Sequence, residues 1–402
     1  MAYVTRCPYH AGARTPVPKR PARTDLPCRI RGTHAKRFFP DGRLGRPMPP
    51  ADDLRFVIPP PDERARSAAH ARWANLTKPE GSLGRLEELA ERLASIRGSP
   101  TPSFRQPGIL VFAADHGVTE EGVSAYPKEV TSAMVENFRT GGAAISVLAR
   151  LAHARLAIVD VGVDGPEPAE GNGLFVRRVA RGTKNLLRGR AMTPEQAHRA
   201  VSVGAEIAER LVDDGVDLVA VGDMGIGNTT PSSAITAVLT GRPPEEVVGR
   251  GTGVGDAAYA QKVSVVRRAL ELHHLSPDRP WDVLEAVGGF EIGAIAGACL
   301  AAASRRVPVI LDGFISTAAA LWASRLEPAV LPYLVPSHRS TEPGHRAALA
   351  TLGLTPYLDL DLRLGEGTGA ALQILLCEAG TRLLGEMATF EEAAVARKNP
   401  LT

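Results

Sequence analysis

Near the end of the 402-residue chain, the stretch LRLGEGTGAALQ (362–373) sets one carboxylate, Glu366, between Gly365 and Gly367, just ahead of an apolar, helix-forming run. Glutamate is not a usual residue of a glycine loop. An acid at a helix start, stabilised by the macrodipole, and an acid held against a reacting group both fit that placement. A second stretch, VGDMGIGNTTPSSAITAVL (221–239), supplies Gly222, Gly225 and Gly227, then Asn228, Thr229 and Thr230 ahead of Pro231 and an Ala/Val/Leu helix. Thr-Thr-Pro reads as a helix start with proline in the first turn. Backbone N–H groups at such a start, the positive end of the dipole and the hydroxyls together suit an anion, and a phosphate fits. The run is neither G-x-x-x-x-G-K-[ST] nor G-x-G-x-x-G with an acid about 20 residues on, so neither an NTPase loop nor a dinucleotide fingerprint is supported. GRGTGVGD (249–256) is a further glycine loop, and Lys262 follows it as a countercharge for phosphate, against the plainer reading of a solvated surface lysine.

Such residues need elements to bring them together. Beyond residue 65 the chain alternates strand-like apolar runs with helical stretches, the pattern of βα units in a parallel α/β sheet. The runs are GILVFAAD (108–115), RLAIVDVGV (155–163), DLVAVGD (217–223), VPVILDG (307–313) and the weaker PYLVPSH (332–338). Each is nearly continuously apolar, as strands covered on both faces should be. Each ends in polar or glycine residues, and in open α/β sheets ligands bind outside the carboxyl ends of the strands, so five ends are expected at one rim. The plainer reading is that Asp and Gly simply end strands well.

Composition limits what else the chain can be. At 44% apolar residues, it can bury a real core. The Ala/Gly stretch 292–303 is too short to span a membrane and reads as a buried core helix. Cys7, Cys28, Cys299 and Cys377 form no C-x-x-C pair, which points to reduced thiols and a cytoplasmic protein. Eleven lysines and arginines fall in residues 1–50 with only Asp25 and Asp41 as acids, leaving 36 basic and 42 acidic groups in the remaining 352 residues. The basic, Pro-rich first 60 residues cannot bury enough apolar surface to offset their ordering entropy and read as a disordered or loosely attached arm. The arm lacks aromatic interleaving, so nucleic-acid binding is not expected of it. It has no secretory apolar core. The spacing of Cys7, His10, Cys28 and His34 does not match usual zinc pairs, so no metal is expected there.

Seven stretches carry a family resemblance: LTKPEGSLGRLEELA (76–90), ADHGVTEEGVSAYPKEVT (114–131), GDMGIGNTT (222–230), GGFEIGAIAG (288–297), LDGFIS (311–316), SHRSTEPG (337–344) and LGEGTGAAL (364–372). In this order they resemble the nicotinate-nucleotide:dimethylbenzimidazole phosphoribosyltransferases of cobalamin nucleotide-loop assembly, from about residue 65 to about residue 395. The resemblance implies a Rossmann-like parallel sheet with helices on both faces and a smaller helical domain formed from terminal segments. The expected division is an extension (1–60), a helical part of the small domain (65–105), an α/β catalytic domain (106–345) and a C-terminal helical segment with the Glu loop (346–402). It also implies a homodimer, small-molecule substrates, and neither cofactor nor metal.

The implied reaction transfers phosphoribose from nicotinate mononucleotide to 5,6-dimethylbenzimidazole, giving α-ribazole 5′-phosphate and nicotinate. Its leaving nitrogen is already a pyridinium, so one base suffices, to take the benzimidazole N–H proton. By resemblance that base is Glu366. Flanking glycines let a ring approach, and apolar surroundings should raise the carboxylate's pKa toward a useful range. Tyr126, Met134, Met224, Ile226 and Leu364 fall where the family lines its base pocket, although core packing is the plain reading of each alone. Asp223, Gly225, Asn228, Thr229, Thr230, Gly251, Lys262, Asp312, Gly313 and Ser340 fall around the ribose phosphate. Asp223 departs from the family's common Glu, which puts its role in doubt, and Tyr126 and Met134 stand where residues tune the choice of acceptor. Two other readings differ in kind. A pyrophosphate-using phosphoribosyltransferase needs an acid pair after a strand, whereas LVDDGVDL (211–218) precedes one; a non-catalytic nucleotide sensor has no use for Glu366.

Overall fold

A computed structural model describes residues 54–397, Thr252 excepted. Most of the 1–60 extension, with Cys7, His10, Cys28 and His34, lies outside the described residues. In chain order the elements are α1 (Glu63–Trp73), α2 (Arg85–Arg97), β1 (Pro107–Ala114), α3 (Val130–Thr140), α4 (Ala144–Leu151), β2 (Arg155–Gly162), β3 (Leu174–Val176), α5 (Pro194–Asp213), β4 (Leu218–Met224), α6 (Thr229–Thr240) and α7 (Pro244–Val247). They continue with α8 (Asp256–His273), α9 (Pro280–Val287), α10 (Phe290–Ser304), β5 (Val309–Leu311), α11 (Phe314–Leu326), β6 (Leu334–Pro336), α12 (Pro343–Leu352) and α13 (Thr368–Glu386).

The apolar runs form one parallel sheet in the order β3-β2-β1-β4-β5-β6. Every residue of β1 is buried, as a central strand between two helical layers requires. On one face α5 packs against α10, and α10 lies on β1, β2 and β4. On the other face Val135 and Phe138 of α3, Ile145 of α4 and Ala370 and Ile374 of α13 share a core with Ile109, Val111, Ile158 and Ala220 of the strands. The Ala/Gly stretch is the interior of α10, buried from Phe290 to Ala303. Among the described residues no helix is long and apolar enough to cross a membrane. Cys299 and Cys377 are free, buried thiols, and burial pushes each up to about 12.

Two runs are shorter than their apolar length suggests. β5 and β6 keep three residues each of 307–313 and 332–338. Pro308 cannot donate to a ladder, and Pro332 lies in the 3-10 helix Pro328–Tyr333 that precedes β6. β3, another three-residue strand, was not among the expected ones.

The ends of the described chain meet. Ala69, Trp73 and Leu76 from α1 and its exit, Ala90 and Ala94 of α2, and Leu384 of α13 form a separate apolar cluster. Asp62 caps α1 by accepting the N–H groups of Arg64 and Ala65. Arg72 of α1 donates to the carbonyls of Leu384, at 2.5 Å, and Gly385, at 3.1 Å, at the end of α13.

Candidate active site

The sheet order reverses between β1 and β4. The chain leaves β1 toward β2 and leaves β4 toward β5, so a crevice opens where both strands end, at Asp115–His116 and Asp223–Met224. The glycine loop after β4 turns into α6 on this rim. The Asn228 side chain does not cap α6 but donates from Nδ2 to Asp223 Oδ2 at 2.8 Å. Thr229, first residue of α6, accepts at Oγ1 from Lys262 Nζ at 2.6 Å, and the same ammonium donates to the Gly249 carbonyl at 3.2 Å. Lys262 is therefore a buried residue of α8 rather than a solvated one, and burial pulls its ammonium down to about 8 against the charge of Glu342. Glu342 in turn accepts the Gly251 N–H at 2.8 Å, which ties the second glycine loop to the same corner.

Opposite lies the loop into α13. Gly365, Glu366 and Gly367 all take the left-handed conformation, with φ of 86°, 63° and 89°. For glutamate this region is sparsely populated and persists only when its surroundings enforce it. Three strands of the sheet supply that enforcement or its support. The Glu366 N–H donates to the Asp223 carbonyl at 3.1 Å. Gly222 of β4 lies so close that a Cβ there would stand 2.3 Å from the Gly367 nitrogen, so only glycine fits. Asp312, just after β5, accepts from Gly367 at 3.1 Å, Gly369 at 2.7 Å and Ala370 at 3.1 Å. His338, after β6, packs behind, its Nδ1 3.9 Å from Asp312 Oδ1.

Glu366 is buried, with the residue 6% exposed. The backbone N–H of Ile145, in the first turn of α4, reaches it, while Oε2 has no hydrogen-bond partner. Burial raises its pKa, the Ile145 N–H opposes this and the Asp312 charge adds to it. Burial and then the Asp312 charge push Asp223 up to about 8, with Asn228 opposing. Asp312 reaches about 7 because burial outweighs the backbone N–H groups of Ala370, Gly367, Gly369 and Gly313. Burial holds His338 and His345 down at about 4 and about 3, so both are neutral rings. The arrangement thus offers an anion corner at Thr229 and Lys262 and, just beyond Gly365 of the same pocket wall, a raised carboxylate with an unpartnered oxygen.

Of the expected site residues, Asp223, Gly225, Ile226, Asn228, Thr229, Gly251, Lys262, Gly313, Ser340 and Leu364 line one pocket. Glu366 lies directly beyond Gly365 of its wall. Tyr126 instead lines a neighbouring hollow that shares Ser124 with the first. Met134 and Met224 pack partly buried against the main core, and Thr230 is fully buried. Asp312 is not in the pocket wall: its oxygens face the backbone of 367–370. The sequence reading missed Glu342, Arg363 and a buried His116–Glu291 pair, joined at 2.8 Å beneath Gly225. Burial opposes the charge on His116, but Glu291 outweighs it and raises the imidazole pKa. Both members lie in stretches that carry the family resemblance, 114–131 and 288–297, yet 175 positions separate them and nothing local marks the contact.

A family model described as phosphoribosyltransferase matches residues 58–395. The nicotinate-nucleotide–dimethylbenzimidazole phosphoribosyltransferase of Chloroflexus aggregans is 52% identical over 341 residues, covering 85% of this chain and 96% of its own. That of Geobacter sulfurreducens is 54% identical over 342 residues, covering 84% and 96%. A crystal structure of the enzyme of that name from Thermus thermophilus superposes with a TM-score of 0.79 at 49% identity, over 84% of this chain and 99% of that one.

Proposed function

Since the chain belongs to the nicotinate-nucleotide:dimethylbenzimidazole phosphoribosyltransferase family and is a transferase of that class, we propose that Glu366 is its general base, in a transfer of phosphoribose from nicotinate mononucleotide to 5,6-dimethylbenzimidazole. The products are α-ribazole 5′-phosphate and nicotinate, on the route to the cobalamin nucleotide loop. The observation that carries this reading is the buried Glu366 carboxylate, with Oε2 unpartnered and its pKa raised, directly beyond Gly365 of the pocket that Thr229 and Lys262 line. Thr229, Lys262 and the Gly251 loop receive the 5′-phosphate, and Asp223 with Asn228 lies toward the ribose. The benzimidazole lies along Ile226 and Leu364, with Met224, Met134 and Tyr126 behind and beside them. Its unprotonated nitrogen attacks C1′ from the face opposite the pyridinium, which inverts the β centre to α. The C–N bond to nicotinate breaks with its electron pair returning to the pyridine nitrogen, and the proton on the other benzimidazole nitrogen passes to Glu366. Holding two flat rings on either side of the sugar supplies much of the rate by proximity and orientation. The reading places the enzyme in the cytoplasm as a homodimer, and the exposed apolar Val147 and Leu151 of α4 are surface a second copy would cover.

The test combines nicotinate mononucleotide with 5,6-dimethylbenzimidazole and identifies the product by mass. Glu366→Gln should fold normally and lose about 10²- to 10⁴-fold in kcat, the usual cost of removing a general base. Turnover within a few-fold of the parent would reject Glu366 as the base.

A further inference from the structure

The Asp312 carboxylate is buried, lies outside the pocket wall, and is spent on the backbone of residues 367–370. The N–H groups that open α13 favour the ionised form of this carboxyl, and burial opposes them, so it is pushed up to about 7. Left alone, they would present the positive end of that helix to Glu366, stabilise its carboxylate and make it a weaker base. Asp312 occupies them instead. The same contacts clamp the residues just after Glu366, whose left-handed φ of 63° an unrestrained glutamate would leave.

We propose that Asp312 is the positioning residue for the proton-accepting carboxylate: by holding Gly367, Gly369 and Ala370 it fixes Glu366 in its left-handed conformation with Oε2 free, and it shields Glu366 from the start of α13. The proposal rests on the reading of Glu366 as base. Asp312 touches no reacting atom and acts on the proton transfer through Glu366, while its charge also raises Asp223. The groups around that carboxylate are few. Ile145 offers its N–H from α4, and Asp312 stands behind from the β5–α11 turn. Asp223 on β4 is close enough for Glu366 to raise it, Glu291 of α10 acts on Asp223, and His338 near Asp312 is neutral. Among these groups Asp312 is the one whose charge raises Glu366 itself.

The experiment measures kcat, both KM values and the pH profile of kcat for Asp312→Asn, Glu366→Gln and the double variant. Asp312→Asn should lower kcat about 10- to 100-fold, as misplacement of a reacting group does. Both KM values should stay within about 3-fold, because no substrate contact is lost. The acidic limb of the profile should move modestly to lower pH, since the ionised fraction of Asp312, a group pushed up to about 7, no longer raises Glu366. On the Glu366→Gln background, Asp312→Asn should cost almost nothing more. A raised nucleotide KM with kcat intact would instead make Asp312 a substrate contact. A lower melting temperature with an unmoved acidic limb and unchanged kcat would make it a structural cap only. Either result overturns the proposal, as does a full additional loss in the double variant. If Asp312→Asn does not fold, Asp312→Glu, which keeps the charge but displaces the oxygens, should lower kcat with the acidic limb in place; an unchanged kcat counts against positioning. A nearly active Glu366→Gln sinks the base assignment separately, whatever Asp312→Asn does.

Discussion

Asp223 illustrates how one buried carboxyl can serve a site while working against the fold. Burial and the charge of Asp312 push it up to about 8, against about 3.9 in an unfolded chain. The folded protein therefore holds a proton there that the unfolded chain releases, so the associated stability is complete below about pH 4 and is lost as pH rises toward about 8. Asp312, at about 7, adds in the same direction. Asp223→Asn keeps an oxygen to accept from Asn228 and removes the charge. It should match the parent's melting temperature near pH 4 and exceed it by about 3 °C near pH 8.5. Thermal melts across that range check this, and a difference that does not depend on pH would show that Asp223 is not buried as a neutral acid. Activity need not follow stability, since the same carboxyl lines the pocket. At this scale much of the candidate pocket was legible in the sequence. Glu366, Thr229 and Lys262 stand out because glycines and a helix start frame them. The partners of Asp312 were not legible, because an Asp that ends an apolar strand carries no mark of which backbone it will face.

The elements were legible to the extent that they are buried on both faces. β1, β2 and β4 follow from nearly continuous apolar runs, whereas three-residue strands such as β3 owe their pairing to a neighbour rather than to their own composition. The start of α6 is the element most open to a direct test. Thr229 is its first residue and bonds to Lys262, so Thr229→Asp adds a negative charge where the helix favours an anion and gives Lys262 an internal partner. The expected outcome is a KM for the nucleotide raised about 10-fold or more, the scale of one charge-assisted contact, with the benzimidazole KM much less affected. Steady-state kinetics on both substrates decide this, and equal weakening of the two would mean that the phosphate lies elsewhere.

For the whole molecule, the division that matters is between the family-matched body and the basic arm. The family match begins at residue 58. The body is anchored from there: Tyr333 Oη donates to the Pro59 carbonyl at 2.7 Å and the Asp62 N–H to Ser95 at 2.8 Å. Deleting residues 1–55 keeps both contacts and removes Pro-rich, basic sequence with little apolar surface to bury. Activity within about 2-fold of the full chain and a melting temperature within about 2 °C are expected; calorimetry and the mass assay check them, and a large loss of either would show that the arm packs on the body. The seam between α1 and α13 has a consequence for how the protein is made. A ribosome delivers α1 and α2 first and α13 almost last, yet Trp73, Leu76 and Ala90 find their apolar partner in Leu384. Throughout translation the two leading helices wait with part of their apolar surface uncovered. The stretch that covers it is the same one that brings in Glu366, so a nascent chain lacks the proposed base until the moment its fold can close.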